Sequence, residues 1–144
     1  MATYRKLYTK ILESTDINDM PDDFTRLTWV LLLLIVDREG RALDNLVNLR
    51  SKVYPQREDV TISMLSSAMR WFADHGMIHR YTVENKRYFQ IVSFVKYQGD
   101  TRREAVSLFP PASAGTAQCQ ADAVVTQELC VTNSRVTREL LVSN

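Results

Sequence analysis

Histidine and cysteine are scarce, with two of each among 144 residues. Cys119 and Cys130 lack CxxC spacing, and His75 and His79 lie far upstream of them. A structural zinc site needs four well-spaced ligands, so no metal is expected and the thiols are read as reduced. Also missing are a glycine-rich phosphate loop, a GxSxG elbow and an HExxH helix. Asp37 and Glu39 are close together but unaccompanied, and they are read as flanking a helix stop rather than as an acid–base site. The sequence therefore predicts no enzyme and no cofactor. No long apolar run is present: the longest, residues 29–36, falls far short of the roughly 20 residues that span a bilayer. With no basic n-region before it and no small-residue cleavage site after it, a signal peptide is not expected. The expected location is cytoplasmic, with no membrane partner. A strong charge of either sign is missing as well. Eighteen Lys and Arg against 17 Asp and Glu give +1. That balance argues mildly against nucleic-acid binding unless the cations gather on one face.

What is present, at 45% hydrophobic and 24% charged, is the composition of a globular domain. The spacing predicts three helices and a hairpin. Asp22 or Asp23 caps a helix from about Phe24, with Phe24, Leu27, Leu31, Leu34 and Ile35 on one face. Trp29, Val30 and Leu32 widen that stripe, so this helix is expected to be the central, most buried one. Gly40 ends it in a left-handed turn, and residues 41–43 suit a brief strand. Asp44 or Asn45 caps the second helix, whose buried seam is Leu46, Leu49 and Val53, and Pro55 forbids its continuation. Thr61 caps the third helix, with Ile62, Leu65, Met69 and Phe72 at intervals of three and four on the core face. Gly76 stops it. Residues 77–83 and 87–94 are rich in β-formers, and Glu84–Asn85 fits a two-residue turn, a longer loop including Lys86 being the alternative.

The ends are plainer. Residues 4–13 are basic and aromatic, and are read as packing their apolar side on the domain with Arg5, Lys6 and Lys10 solvated; a basic arm reaching for phosphates is the other reading. Residues 16–23 suit a loop or one helical turn. The expected organisation is a domain at 1–98 with an arm at 1–22, a connecting segment at 99–111, and a low-complexity, disordered tail at 112–144. A weak helix over residues 124–141 is the alternative for the tail.

Helix, brief strand, helix, helix, strand, turn, strand is the order of a winged helix-turn-helix. The expected class is mainly α with a small β-hairpin (α+β). In such a module the third helix enters the major groove and the hairpin reaches phosphates. The candidate DNA-binding residues are Ser63, Ser66, Ser67 and Arg70 on the third helix, Lys86 and Arg87 at the hairpin, and Arg50 and Lys52 on the second helix. Arg70 suits bidentate contact with guanine, and the serines suit phosphates or base edges. The bland alternative makes the serines a solvated face, pairs Arg70 with Asp74, and leaves the hairpin charges to solubility.

The order of several short motifs adds to this. Asp37-Arg38-Glu39-Gly40-Arg41, Tyr54-Pro55, Gly76-Met77-Ile78, Lys86-Arg87-Tyr88 and Phe94-Val95-Lys96-Tyr97-Gln98 resemble phage and prophage replication-initiation (replisome organiser) proteins over roughly residues 1–111. The resemblance implies an N-terminal winged helix of the kind found in primosomal DnaD-type proteins, binding double-stranded DNA in replication initiation. It equally implies self-association or contact with replisome proteins, where Trp29, Trp71 and Phe72 would be natural anchors. A small transcriptional regulator is a further alternative. The sequence departs from the family at the hairpin, where Glu84–Asn85 replaces the frequent Asp-Gly.

Overall fold

A computed structural model describes residues 4–117. The expected tail helix, both cysteines and most of the low-complexity segment lie outside that range. The class is α+β, with helices on one face of a small antiparallel sheet. In chain order come a 3-10 turn at Thr9–Glu13, α1 (Thr15–Asp19), α2 (Asp23–Ile35), β1 (Arg41–Leu43), α3 (Leu46–Val53) and α4 (Ile62–Asp74). Then follow β2 (Ile78–Val83), β3 (Lys86–Ile91), α5 (Phe94–Gln98), a 3-10 turn at Ala112–Ala114 and a two-residue β4 (Thr116–Ala117).

The helix starts follow the sequence closely. Asp22 accepts from the Thr25 amide and hydroxyl, Asn45 from the Asn48 amide and Thr61 from the Met64 amide. Each such cap satisfies an amide that has no partner inside the helix. The Thr25 hydroxyl bond, then its amide bond, holds the Asp22 carboxyl below the usual aspartate range.

The buried stripe of α2 departs from expectation. Thr25, Thr28 and Leu32 face inward, whereas Leu27 and Leu34 are 43% and 47% exposed. The reason is polar chemistry that a hydropathy pattern does not register. The Thr28 hydroxyl lies 2.7 Å from the Phe24 carbonyl and 2.7 Å from the Tyr54 hydroxyl, and Thr25 is satisfied by Asp22. Threonines with their hydroxyls satisfied can occupy a core stripe at little cost. Consequently α4, not α2, is the most deeply set helix: Leu65, Ala68, Met69 and Phe72 are all buried.

Strand order is β1-β3-β2-β4, antiparallel throughout. Glu84 and Asn85 both take positive φ, at 49° and 65°, and Val83 pairs with Lys86. The turn is therefore the two-residue one, and Lys86 belongs to a strand. Because side chains alternate along a strand, one face carries Ala42, Ile78, Phe89 and Ile91, which join the helical core. The opposite face carries Arg41, His79, Tyr81, Lys86, Tyr88 and Gln90.

That second face is covered by the segment expected to be a connector. The Tyr81 hydroxyl donates to the Pro110 carbonyl at 2.7 Å, and Phe109 packs on Tyr88 with ring centroids 5.9 Å apart. Ser107 donates to Asp37, Thr101 donates to the Arg38 carbonyl, and β4 pairs with β2. Residues 99–117 thus lie along the domain rather than leading away from it. Burial pushes the Tyr81 phenol above its ordinary pKa.

The N-terminal arm departs in part from expectation: Lys6 and Lys10 are in solvent as expected, but Arg5 is not. Arg5, expected in solvent, is buried: it donates to the Leu33 and Val36 carbonyls at the end of α2, pairs with Glu104 at 2.5 Å and lies over the Phe94 ring. A guanidinium suits the carbonyl-rich, negative end of a helix. Of the residues expected to pack inward, Tyr4, Leu7 and Tyr8 are exposed and Ile11 is half-buried.

Candidate nucleic-acid interface

The face of α4 opposite its core residues carries Ser63, Ser67, Arg70 and Asp74 in solvent, with Ser66 and Trp71 half-buried at its margins. This is the arrangement the spacing predicts. Leu65, Ala68, Met69 and Phe72 bury one side, so the other must turn outward.

The remaining cations do not form one group. Arg50 is partly committed within the domain: its Nε donates to the Val60 carbonyl at 2.8 Å and its Nη2 to the Arg57 carbonyl at 3.2 Å, so it braces the loop between α3 and α4. Lys52, on the same helix, is exposed. Lys86 and Arg87, grouped by adjacency in sequence, project to opposite sides of the hairpin. Arg87 stands across from Thr82 on the side where the helices pack, and is half-buried. Lys86 stands across from Val83 on the side the C-terminal segment covers. Only Arg87 of the pair therefore shares the sheet's helical side with α4.

Beneath Arg87 lies a feature that the sequence did not disclose. Arg80, on the same face of β2, makes a two-pronged ion pair with Asp44, at 2.5 and 3.0 Å, both side chains almost fully buried. The Asp44 amide also donates to the Arg87 carbonyl. Asp44 thereby ties the start of α3 to both strands of the hairpin and fixes where the hairpin stands relative to the helices. In the sequence Asp44 reads only as an alternative cap of the second helix and Arg80 is not singled out, since the two lie 36 positions apart.

A second surface joins the arm, whose other reading is a basic arm reaching for phosphates, to α5, a pairing that was not foreseen. Tyr8 and Tyr97 meet with ring centroids 5.8 Å apart, and the Lys96 ammonium lies 5.5 Å from the Tyr97 centroid. They border a cleft of about 240 Å3 between the arm, α2 and α5, lined in part by Lys6, Lys10, Asp16, Trp29 and Phe94. The interleaving of aromatic and basic residues in Tyr4-Arg5-Lys6-Leu7-Tyr8 and Lys96-Tyr97 is the signal that pointed there.

Of the proposed protein anchors, Phe72 is fully buried against Trp29 and Trp71, which are themselves half-buried. Among the described residues no group of three or more His, Cys, Asp or Glu is placed to hold a metal ion, and no helix is long and apolar enough to cross a membrane. Comparison with protein-family models, curated proteins and solved structures finds no match.

Proposed function

We propose that the domain is a winged helix-turn-helix that binds duplex DNA through α4, with the β2–β3 hairpin as its wing. The observation that carries this reading is the strand order. The short β1, placed between α2 and α3, pairs with β3 and gives β1-β3-β2 around a helical pair α3–α4. Burial of Leu65, Ala68, Met69 and Phe72 leaves the polar face of α4 outward, and a helix of ordinary diameter fits a major groove about 12 Å wide. Arg70 is the guanine-reading candidate on that face, Ser63, Ser66 and Ser67 the hydrogen-bonding ones, and Lys52 and Arg87 supply flanking charge, while Lys86, on the sheet's other side, adds charge only at the hairpin tip. Arg50 acts through the α3–α4 loop instead. The setting in phage-type replication initiation is supported by the motif resemblance alone; a transcriptional regulator would use the same contacts.

Salt-titrated binding to duplex DNA tests the proposal. Each phosphate neutralised contributes about −0.9 to the log–log slope. Arg70→Ala is expected to weaken binding roughly tenfold and relax sequence preference, in line with about 1–3 kcal/mol for a bidentate base contact. Lys52→Ala is expected to weaken all sequences alike. A salt-independent signal, or unchanged affinity in a chain carrying Arg70→Ala, Lys86→Ala and Arg87→Ala together, removes the reading.

One observation favours a second reading, a protein-interaction or self-associating module. Leu27 and Leu34 are exposed one above the other along α2, two turns apart. If that stripe is a contact, Leu27→Glu with Leu34→Glu shifts the sedimentation coefficient to that of a monomer and leaves DNA affinity unchanged.

A further inference from the structure

We propose that the N-terminal arm and α5 form a second binding surface, which takes single-stranded DNA. Its tyrosines and lysines lie outside α4 and the hairpin, and it goes beyond the duplex-binding reading.

Three tyrosines stand in solvent here: Tyr4 is 75% exposed, Tyr8 47% and Tyr97 42%. Lys6, Lys10 and Lys96 are exposed beside them. Aromatic rings alternating with ammonium groups match a strand in which bases alternate with phosphates. Stacking on such rings is tolerant of sequence because every base has a π-face. The arm is also held firmly. Its Lys6 amide donates to the Gln98 side-chain oxygen and its Lys6 carbonyl accepts from the Gln98 amide, both at 2.9 Å, while Arg5 is locked under Glu104. A fixed platform presents its rings without the ordering cost of a floppy arm.

Charge selects the occupant. The charged residues lining the cleft are Lys6, Lys10 and Asp16, and Lys96 lies on Tyr97, so positive charge exceeds negative. A second copy meeting this surface about a two-fold axis would bring that same excess against itself. A polyanion meets it favourably. The polar groups nearby are mostly committed: Gln98 to Lys6, and the Ser14 hydroxyl to the Ile17 amide. The Tyr4, Tyr8 and Tyr97 side chains nonetheless stay open to solvent, so the assignment to DNA rather than RNA rests on the duplex-DNA reading of the same domain, and oligo(U) tests it.

The test is fluorescence anisotropy of labelled oligo(dT) of about 12 nucleotides with the full chain at low salt. Tyr8→Ala and Tyr97→Ala are each expected to weaken binding about tenfold, as loss of one stacked base does. Tyr8→Phe and Tyr97→Phe, which keep the ring and disturb the fold least, are expected to bind like the original. Lys6→Ala and Lys10→Ala should each reduce the magnitude of the salt slope by about 0.7. Arg70→Ala is expected to leave oligo(dT) binding untouched, so failure of this surface and failure of the duplex site are read separately. Absence of oligo(dT) binding, equal affinity of the alanine variants, or tighter binding of oligo(U) overturns the proposal. So does a dimer in sedimentation that Tyr8→Ala dissolves, since a second copy would then be the occupant.

Discussion

The two faces of the sheet are built by different means. The helical face is closed by Leu65, Met69 and Phe72 of α4 together with Ile78, Phe89 and Ile91, residues that recur at helical or strand periods. The outer face is closed by residues 101–117, which show no period at all and hold by single contacts: Phe109 on Tyr88, Tyr81 to the Pro110 carbonyl, Gly115 against Thr82. A periodic face is over-determined, because many interchangeable apolar contacts share the work. An aperiodic cover depends on a few contacts that cannot substitute for one another.

The sharpest way to break the helical face goes through its exception. Asp44→Ala leaves Arg80 charged and buried without its carboxylate, which costs about 3–5 kcal/mol. Urea denaturation is expected to show that loss as a lower midpoint with an unchanged slope. A near-neutral result would mean that the pair contributes only to positioning.

A smaller effect is expected from loosening the outer face. A Cβ at Gly115 would stand 2.2 Å from the Thr82 carbonyl oxygen, so Gly115→Ala must push β4 away from β2. The expected cost is about 1–3 kcal/mol, as for an overpacked site. Amide hydrogen exchange should rise along β2 while α4 stays protected. If α4 loses protection equally, the two faces are one cooperative unit.

The smallest effect is at Tyr81. Tyr81→Phe removes one hydrogen bond, to the Pro110 carbonyl, worth about 1 kcal/mol. It also changes the alkaline limb. Burial raises the folded-state pKa of this phenol, so its contribution is fully present below the unfolded value near 10 and is lost as pH rises through the folded one. The phenylalanine variant is therefore expected to show a shallower stability loss above about pH 10 in thermal melts.

The same contrast explains how much was legible. Asp22, Asn45 and Thr61 as caps, the Glu84–Asn85 turn, β1 and the core face of α4 follow from local rules, and all are present. The inward turn of Thr25 and Thr28 was hidden because hydroxyl partners one turn back, or on Tyr54, replace hydropathy as the determinant. The covering segment was hidden because its anchors are backbone carbonyls, which every residue has. At the candidate interface, exposure along α4 was legible, since it is the complement of a periodic core. The positions of Arg50 and Arg87 were not: the first depends on loop carbonyls, the second on which strand face a register assigns.

The bond between Arg5 and Glu104 spans 99 positions of sequence. At a synthesis rate of about 5–20 residues per second, Arg5 is made roughly 5–20 s before its carboxylate partner. Through that interval Arg5 can already meet the Leu33 and Val36 carbonyls at the end of α2, but its ion pair with Glu104 cannot form. The Arg5–Glu104 pair is thus a long-range closure, of the kind that slows folding.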